Sequence, residues 1–172
     1  MNKMNLSFTW NSPLGKGVLS PDDLRFFYYD IATDNIIGFS KIYEWDDNVI
    51  SFLETNKLTI EDCDIIEDNV DNNTIIFTII KDKDKEGNDI ETKPQAFFRH
   101  LRNAFAHYNI KRDNDFFYIR DINDNKTKML GVINCDLLKQ FCFLFLDQRE
   151  ALLQSLDNQT KLNNNPNKIE SI

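Results

Sequence analysis

Both histidines of this chain, His100 and His107, lie within nine residues of sequence together with Arg99, Arg102 and Asn103. The chain holds 6 Arg and 2 His, and four of those eight fall between Arg99 and His107 in an otherwise Lys-rich sequence. An imidazole moves protons near neutral pH. A guanidinium offers a planar fork to phosphate or carboxylate oxygens and keeps its charge. An amide can orient either one. The set therefore suits proton transfer at an anionic group. Cations near the end of a helix also complement its dipole, so an ordinary solvated face is the competing reading of the same residues.

The segment belongs on a helix. Thr92-x-x-Gln95 forms a capping box and Pro94 sits in the first turn, so a helix is expected from residue 92 to about residue 108. At about 100° per residue, Phe97, Phe98, Leu101, Ala104, Phe105 and Tyr108 share one arc, and Arg99, His100, Arg102, Asn103 and His107 lie opposite. Tyr108 is thus expected in the core, and His100 at a groove edge or in solvent. Asn103 precedes His107 by four residues and shares its face. Arg102 lies about 140° around the helix from His107 and about 7.5 Å along it. A two-fold dimer would bring two such motifs into one groove.

Arg102-Asn103-x-x-x-His107, with Leu101 and Ala106 flanking it, resembles the Rx4H signature of the HEPN superfamily. Its members are small helical-bundle proteins, many of them metal-independent RNases of toxin, defence and RNA-processing systems. The resemblance spans residues 92–155, as a motif helix, a short hairpin and a long terminal helix. It implies a mainly α, HEPN-like helical bundle with a small antiparallel β-hairpin, an RNA substrate, a homodimer with a composite active site, and an antitoxin or regulatory protein as a possible partner. No cofactor or metal is expected. One toxin subgroup extends the motif to Rx4HxY; here Tyr108 directly follows His107 and Asn109 occupies the Tyr position.

RNA carries its own nucleophile, the 2′-hydroxyl. Cleavage needs a base for its proton, a cation for the charge building at phosphorus, and an acid for the departing 5′-oxygen. Arg102, Asn103 and His107 are the expected catalytic set. Arg99 and His100 would extend the groove, and Lys111, Arg112 and Arg120 would hold flanking phosphates. A non-catalytic RNA- or nucleotide-binding member of the fold, or a protein-interaction module, is the alternative.

The rest of the chain sets the frame. The 172 residues carry a net charge of −8, divided as −10 over residues 1–95, +3 over 96–135 and −1 over 136–172. The basic stretch is thus the one with both histidines. Ser20, Pro21, Asp22 and Asp23 mark a helix start, with Leu24, Phe27, Tyr28 and Ile31 as its apolar stripe. A second helical pattern covers residues 36–56, with Phe39, Ile42, Tyr43, Val49, Ile50 and Leu53 on one face. Residues 58–73 are acidic and have no clear pattern; 74–80 read as a strand and 81–91 as an exposed loop. Residues 116–122 and 128–134 read as a hairpin turning at Asn123-Asp124-Asn125. The last helix is expected over 136–155, burying Leu137, Leu138, Phe141, Phe145, Leu152 and Leu153. Residues 1–156 form one domain, and the Asn-rich tail 157–172 is expected to be disordered.

Gly15-Lys16-Gly17 lacks the spacing of a phosphate loop. Asp121-x-Asn123-x-Asn125 lacks the Gly and Glu of a calcium loop, so it reads as a turn. Cys63, Cys135 and Cys142 have no metal-site spacing and are expected as free thiols in a reducing cytosol. No apolar run approaches membrane-span length and the N-terminus has no signal-peptide pattern, so the protein is expected in the cytoplasm, away from membranes.

Overall fold

The computed structural model describes residues 18–33, 44–66, 69–88 and 90–163. The expectations for residues 1–17, Gly15-Lys16-Gly17 among them, and for Phe39, Ile42 and Tyr43 lie outside these.

Helix α1 (Pro21–Arg25) continues as a π-helical stretch (Phe26–Thr33). Helix α2 (Asp47–Asn56) precedes strands β1 (Thr59–Asp62) and β2 (Thr74–Phe77). Helix α3 (Lys93–Ala106) carries the Arg/His segment. Strands β3 (Ile110–Asp113), β4 (Phe116–Asn123) and β5 (Lys126–Asn134) follow, and helix α4 (Cys135–Asn163) ends the described chain. The strands form one five-stranded sheet in the order β1-β2-β5-β4-β3. Only the β1–β2 pair is parallel.

The expected helical bundle with a small hairpin is therefore wrong. The fold is α/β, a five-stranded mixed sheet with helices packed on it. The hairpin exists, but it is the centre of a sheet and not an appendage. It closes through a two-residue turn in which Asp124 and Asn125 both take positive φ, 52° and 57°, a geometry that matches the twist of the strands it joins. The missing strands are β1 and β3. Each is four residues long with charged residues inside it (Thr-Ile-Glu-Asp and Ile-Lys-Arg-Asp), and each forms an edge of the sheet. Edge strands are kept short and charged because their open hydrogen-bonding groups invite foreign strands. The same features hide them from pattern reading.

One sheet face, bearing Ile60, Ile75, Phe77, Phe117, Ile119 and Met129, packs against the helices. Helix α3 lies in the middle of this layer. Phe97 meets Phe77 of the sheet and Phe141 of α4, Phe98 meets Phe145 of α4, and Phe105 stacks on Phe27 of the π-helical stretch. Gly131 on β5 sits where a Cβ would come within 2.7 Å of Ile75 Cγ1, so this close approach of strand to side chain needs glycine. The expected stripe of the first helix is also corrected. Phe26, Phe27 and Ile31 are buried, whereas Leu24 and Tyr28 are exposed. Bonding from i to i+5 in the π-helical stretch brings Phe26 and Ile31 to one side, which a 3.6-residue period does not. Helix α4 runs beyond the expected residue 155 to Asn163, and residues 164–172 of the expected tail lie outside the described residues. No helix among the described residues is long and apolar enough to cross a membrane.

Asp23 ties the N-terminal helix to both later elements. It is fully buried and closes the capping box with Ser20, whose N–H donates to its carboxylate. It also accepts from Arg112 Nη1 of β3 at 2.8 Å and from Lys139 Nζ of α4 at 2.7 Å. Burial pushes its pKa up, but Lys139, Arg112 and Ser20 together outweigh that and hold it at about 2, below the ordinary 3.8. A lowered carboxyl pKa contributes stability that is complete above the unfolded value and is lost as pH falls through the folded one. Asp23→Ala is accordingly expected to cost about 2–3 kcal/mol in urea denaturation at neutral pH, since it leaves two cations without their carboxylate. The variant's stability should also fall less steeply than wild type as pH drops from about 4 to about 2.

Candidate functional site

The polar side of α3 is divided into two tiers. The inner tier is a charged cluster built from three elements. His100 is 1% exposed. Its Nδ1 lies 2.6 Å from Asp121 Oδ2 on β4, and its Nε2 lies 2.9 Å from the Thr78 carbonyl oxygen just beyond β2. Both partners, a carboxylate and a carbonyl, are acceptors. Asp121 is 2% exposed. It shares the inward side of β4 with Phe117 and Ile119, as the two-residue period requires.

The sheet is irregular just beyond Asp121. The β4–β5 register shifts between Asp121 and Ile122, leaving Lys128 without a partner residue in the ladder. On its other side, toward β2, the Lys128 carbonyl accepts the Thr78 N–H at 2.9 Å, which carries the β2–β5 register one residue past Phe77 and Met129. A bulge is a recurrent device near functional groups.

Arg99 completes the tier. Its Nε and Nη2 donate to the two oxygens of Glu91 at 2.5 and 2.8 Å. Its Nη1 and Nη2 lie 3.4 and 3.1 Å from Nδ1 and Nε2 of His100, so the guanidinium sits directly beside the imidazole. Glu91 also accepts the Ile80 N–H at 3.0 Å. Burial pushes the Glu91 carboxyl up, but the Arg99 bonds and the Ile80 N–H prevail and hold it below its usual range.

The outer tier consists of Arg102 and His107. Arg102 is half-buried. His107 is exposed and caps the C-terminal end of α3, its N–H bonded to the Asn103 carbonyl at 3.0 Å. Neither side chain makes a hydrogen bond or ion pair among the described residues. Asn103 stands between the tiers: its Nδ2 is 3.5 Å from Asp121 Oδ2, and its link to His107 runs through the backbone.

The other expected cations do not converge on this pair. Arg112 is engaged by Asp23, and its Nε donates to the Asn114 carbonyl. Arg120 alternates with Asp121, so it lies on the sheet face away from α3, where Nη2 donates to Thr127 Oγ1 at 3.2 Å. Lys111 is on edge strand β3 near the end of α3. Arg99 and His100 sit side by side, though in the inner cluster and not along an open groove.

Two expectations about α3 are overturned. His100 is buried because the sheet covers that flank of the helix; a bundle would have left it at an edge. Tyr108 is 90% exposed and not in the core, because the chain leaves the helix at His107 and Tyr108 takes φ 57°. Sequence reasoning also missed Asp121 and Glu91. The signal for Asp121 was available: an acid at i, i+2, i+4 with Phe117 and Ile119 sits on the apolar side of a strand, where it needs a buried partner.

Asp121→Ala is expected to destabilise the protein by about 3 kcal/mol, because it strands the imidazole and its bound guanidinium in the interior. The double change His100→Leu with Asp121→Leu should cost less than the sum of the two single changes in the same denaturation series.

No family model, curated protein or solved structure matches the chain.

Proposed function

We propose that the chain is a metal-independent endoribonuclease of the HEPN type, acting as a homodimer in which two copies of the Arg102/Asn103/His107 motif share one groove. One observation carries the reading. Arg99, Arg112, Lys139, Lys93 and Lys81 are each paired with a carboxylate, whereas the motif's own Arg102 and His107 make no side-chain pairing among the described residues. Arg99, Arg112 and Lys139 close on the buried carboxylates of Glu91 and Asp23, while the two groups the chemistry requires stay uncommitted among the described residues. The resemblance that motivates the reading belongs to α3 and its sequence, not to a helical bundle.

In this mechanism, an imidazole of His107 takes the proton of the 2′-hydroxyl as that oxygen attacks phosphorus. The Arg102 guanidinium stabilises the charge on the non-bridging oxygens. The second copy's imidazole protonates the departing 5′-oxygen, so one strand ends in a 2′,3′-cyclic phosphate and the other in a 5′-hydroxyl. Asn103, held toward Asp121, sets the last turn of α3. A toxin or phage-defence role, restrained by an antitoxin or regulatory protein, is what the resemblance adds.

A second reading has its own observation. Leu24, Tyr28, Tyr29 and Phe143 are exposed and line a broad surface groove of about 950 Å³. Exposed apolar patches of this kind mark interaction surfaces, so a protein-docking module is the rival.

The tests are direct. His107→Ala should lower RNA cleavage by about 100-fold or more while leaving the circular dichroism spectrum and melting temperature unchanged, since the side chain is exposed. Cleavage by the pure wild-type protein should persist in EDTA, with cyclic phosphate ends on mass analysis; equal rates for variant and wild type remove His107 from the mechanism. Sedimentation should give about twice 20.3 kDa, and a strict monomer at micromolar concentration favours the docking module.

A further inference from the structure

Helix α3 ends in a Schellman motif. The Asn109 N–H bonds to the Ala104 carbonyl at 2.8 Å, the Tyr108 N–H bonds to the Phe105 carbonyl at 3.0 Å, and Tyr108 between them takes φ 57°. The residue at that point is usually glycine, because a Cβ is penalised in the left-handed region. This chain places a tyrosine there. A bulky side chain in that conformation is a genuine outlier, and outliers of this kind gather at functional sites. The fold gains nothing evident in return. The residue is 90% exposed and lies outside the core. The use of the ring is therefore to be sought outside the folded chain.

The ring stands at an open, largely apolar groove of about 270 Å³, which Tyr108 lines with Leu24, Phe105, Ile110 and Lys111. The groove begins one residue past His107. An aromatic face beside cationic groups that address a phosphate is the arrangement by which proteins hold single-stranded nucleic acid, each base stacking on a ring while the backbone follows the charge.

We propose that Tyr108 is a stacking platform for a base of single-stranded RNA, next to the phosphate that His107 addresses. The proposal rests on the ribonuclease reading above. It adds that the enzyme takes unpaired RNA and grips it with little regard to base identity, because every base has a π-face.

Tyr108→Gly and Tyr108→Phe separate function from fold. Tyr108→Gly restores the residue the turn favours, so the melting temperature should rise by about 2–4 °C. The same variant should bind a short fluorescein-labelled single-stranded RNA about tenfold more weakly by anisotropy and show a matching rise in KM. Tyr108→Phe keeps the ring and should stay within about twofold of wild type in both measures. An RNA with abasic residues should lose about the same affinity for wild type and none further for Tyr108→Gly. Unchanged RNA affinity in Tyr108→Gly overturns the proposal, and if wild type still cleaves, the ribonuclease reading survives it. Loss of the dimer in Tyr108→Gly with RNA affinity intact overturns it in favour of a protein interface. If wild type binds RNA through Tyr108 and does not cleave, the proposal stands and the catalytic reading falls. A wild type that does not bind RNA at all overturns both.

Discussion

A buried imidazole must find a hydrogen-bonding partner at each ring nitrogen, and little else in this protein's interior is as demanding. His100 meets that demand only where three separate pieces of chain coincide: Asp121 on β4, the Thr78 carbonyl beyond β2, and the Arg99–Glu91 pair laid against the ring. The β2–β5 register is part of the same solution, because carried one residue past Phe77 and Met129 it holds Thr78 in place by a bond from its N–H to the Lys128 carbonyl. An unmet polar group at this depth costs several kcal/mol, so the rotation of α3 about its own axis follows from satisfying one ring. Once that rotation is set, the direction in which Arg102, Asn103 and His107 face is set with it.

This makes the charged cluster a device for orientation more than for stability. Buried ion pairs seldom outperform well-packed apolar side chains, since desolvation consumes most of their mutual attraction. Aromatic contacts along α3, from Phe97 and Phe98 to α4 and from Phe105 to Phe27, supply the cohesion. They would tolerate sliding. Directional bonds between Arg99, His100, Glu91 and Asp121 would not. The outer pair can then remain uncommitted because the inner set already anchors the helix.

Much of the local structure was legible in the residues. Ser20 with Asp23 and Thr92 with Gln95 mark their helix starts by capping chemistry that acts over three residues. The β4–β5 hairpin announces itself through alternation and an Asp-Asn turn. What could not be read was long-range. β1 and β3 are sheet strands only because β2 and β4 offer them partners, and their own four residues carry no distinguishing pattern. The burial of His100 follows from that unseen sheet, and the exposure of Tyr108 from a chain reversal that a helical projection carries past its end. The motif positions were found. Their inner partners, Glu91 and Asp121, were not, although an acid on the apolar side of β4 was a sign.

Asp23 has a temporal consequence. Its partners lie 89 and 116 residues further along the chain. A growing polypeptide emerges at about 5–20 residues per second, so this carboxylate leaves the ribosome many seconds before Lys139 exists to meet it. Helix α1 can form early on its own cap, but it cannot dock. The antiparallel run from β3 to β5 closes over short loops and is positioned to assemble first. The N-terminal helix is then the last piece to settle, waiting as an amphipathic segment until the start of α4 has been made.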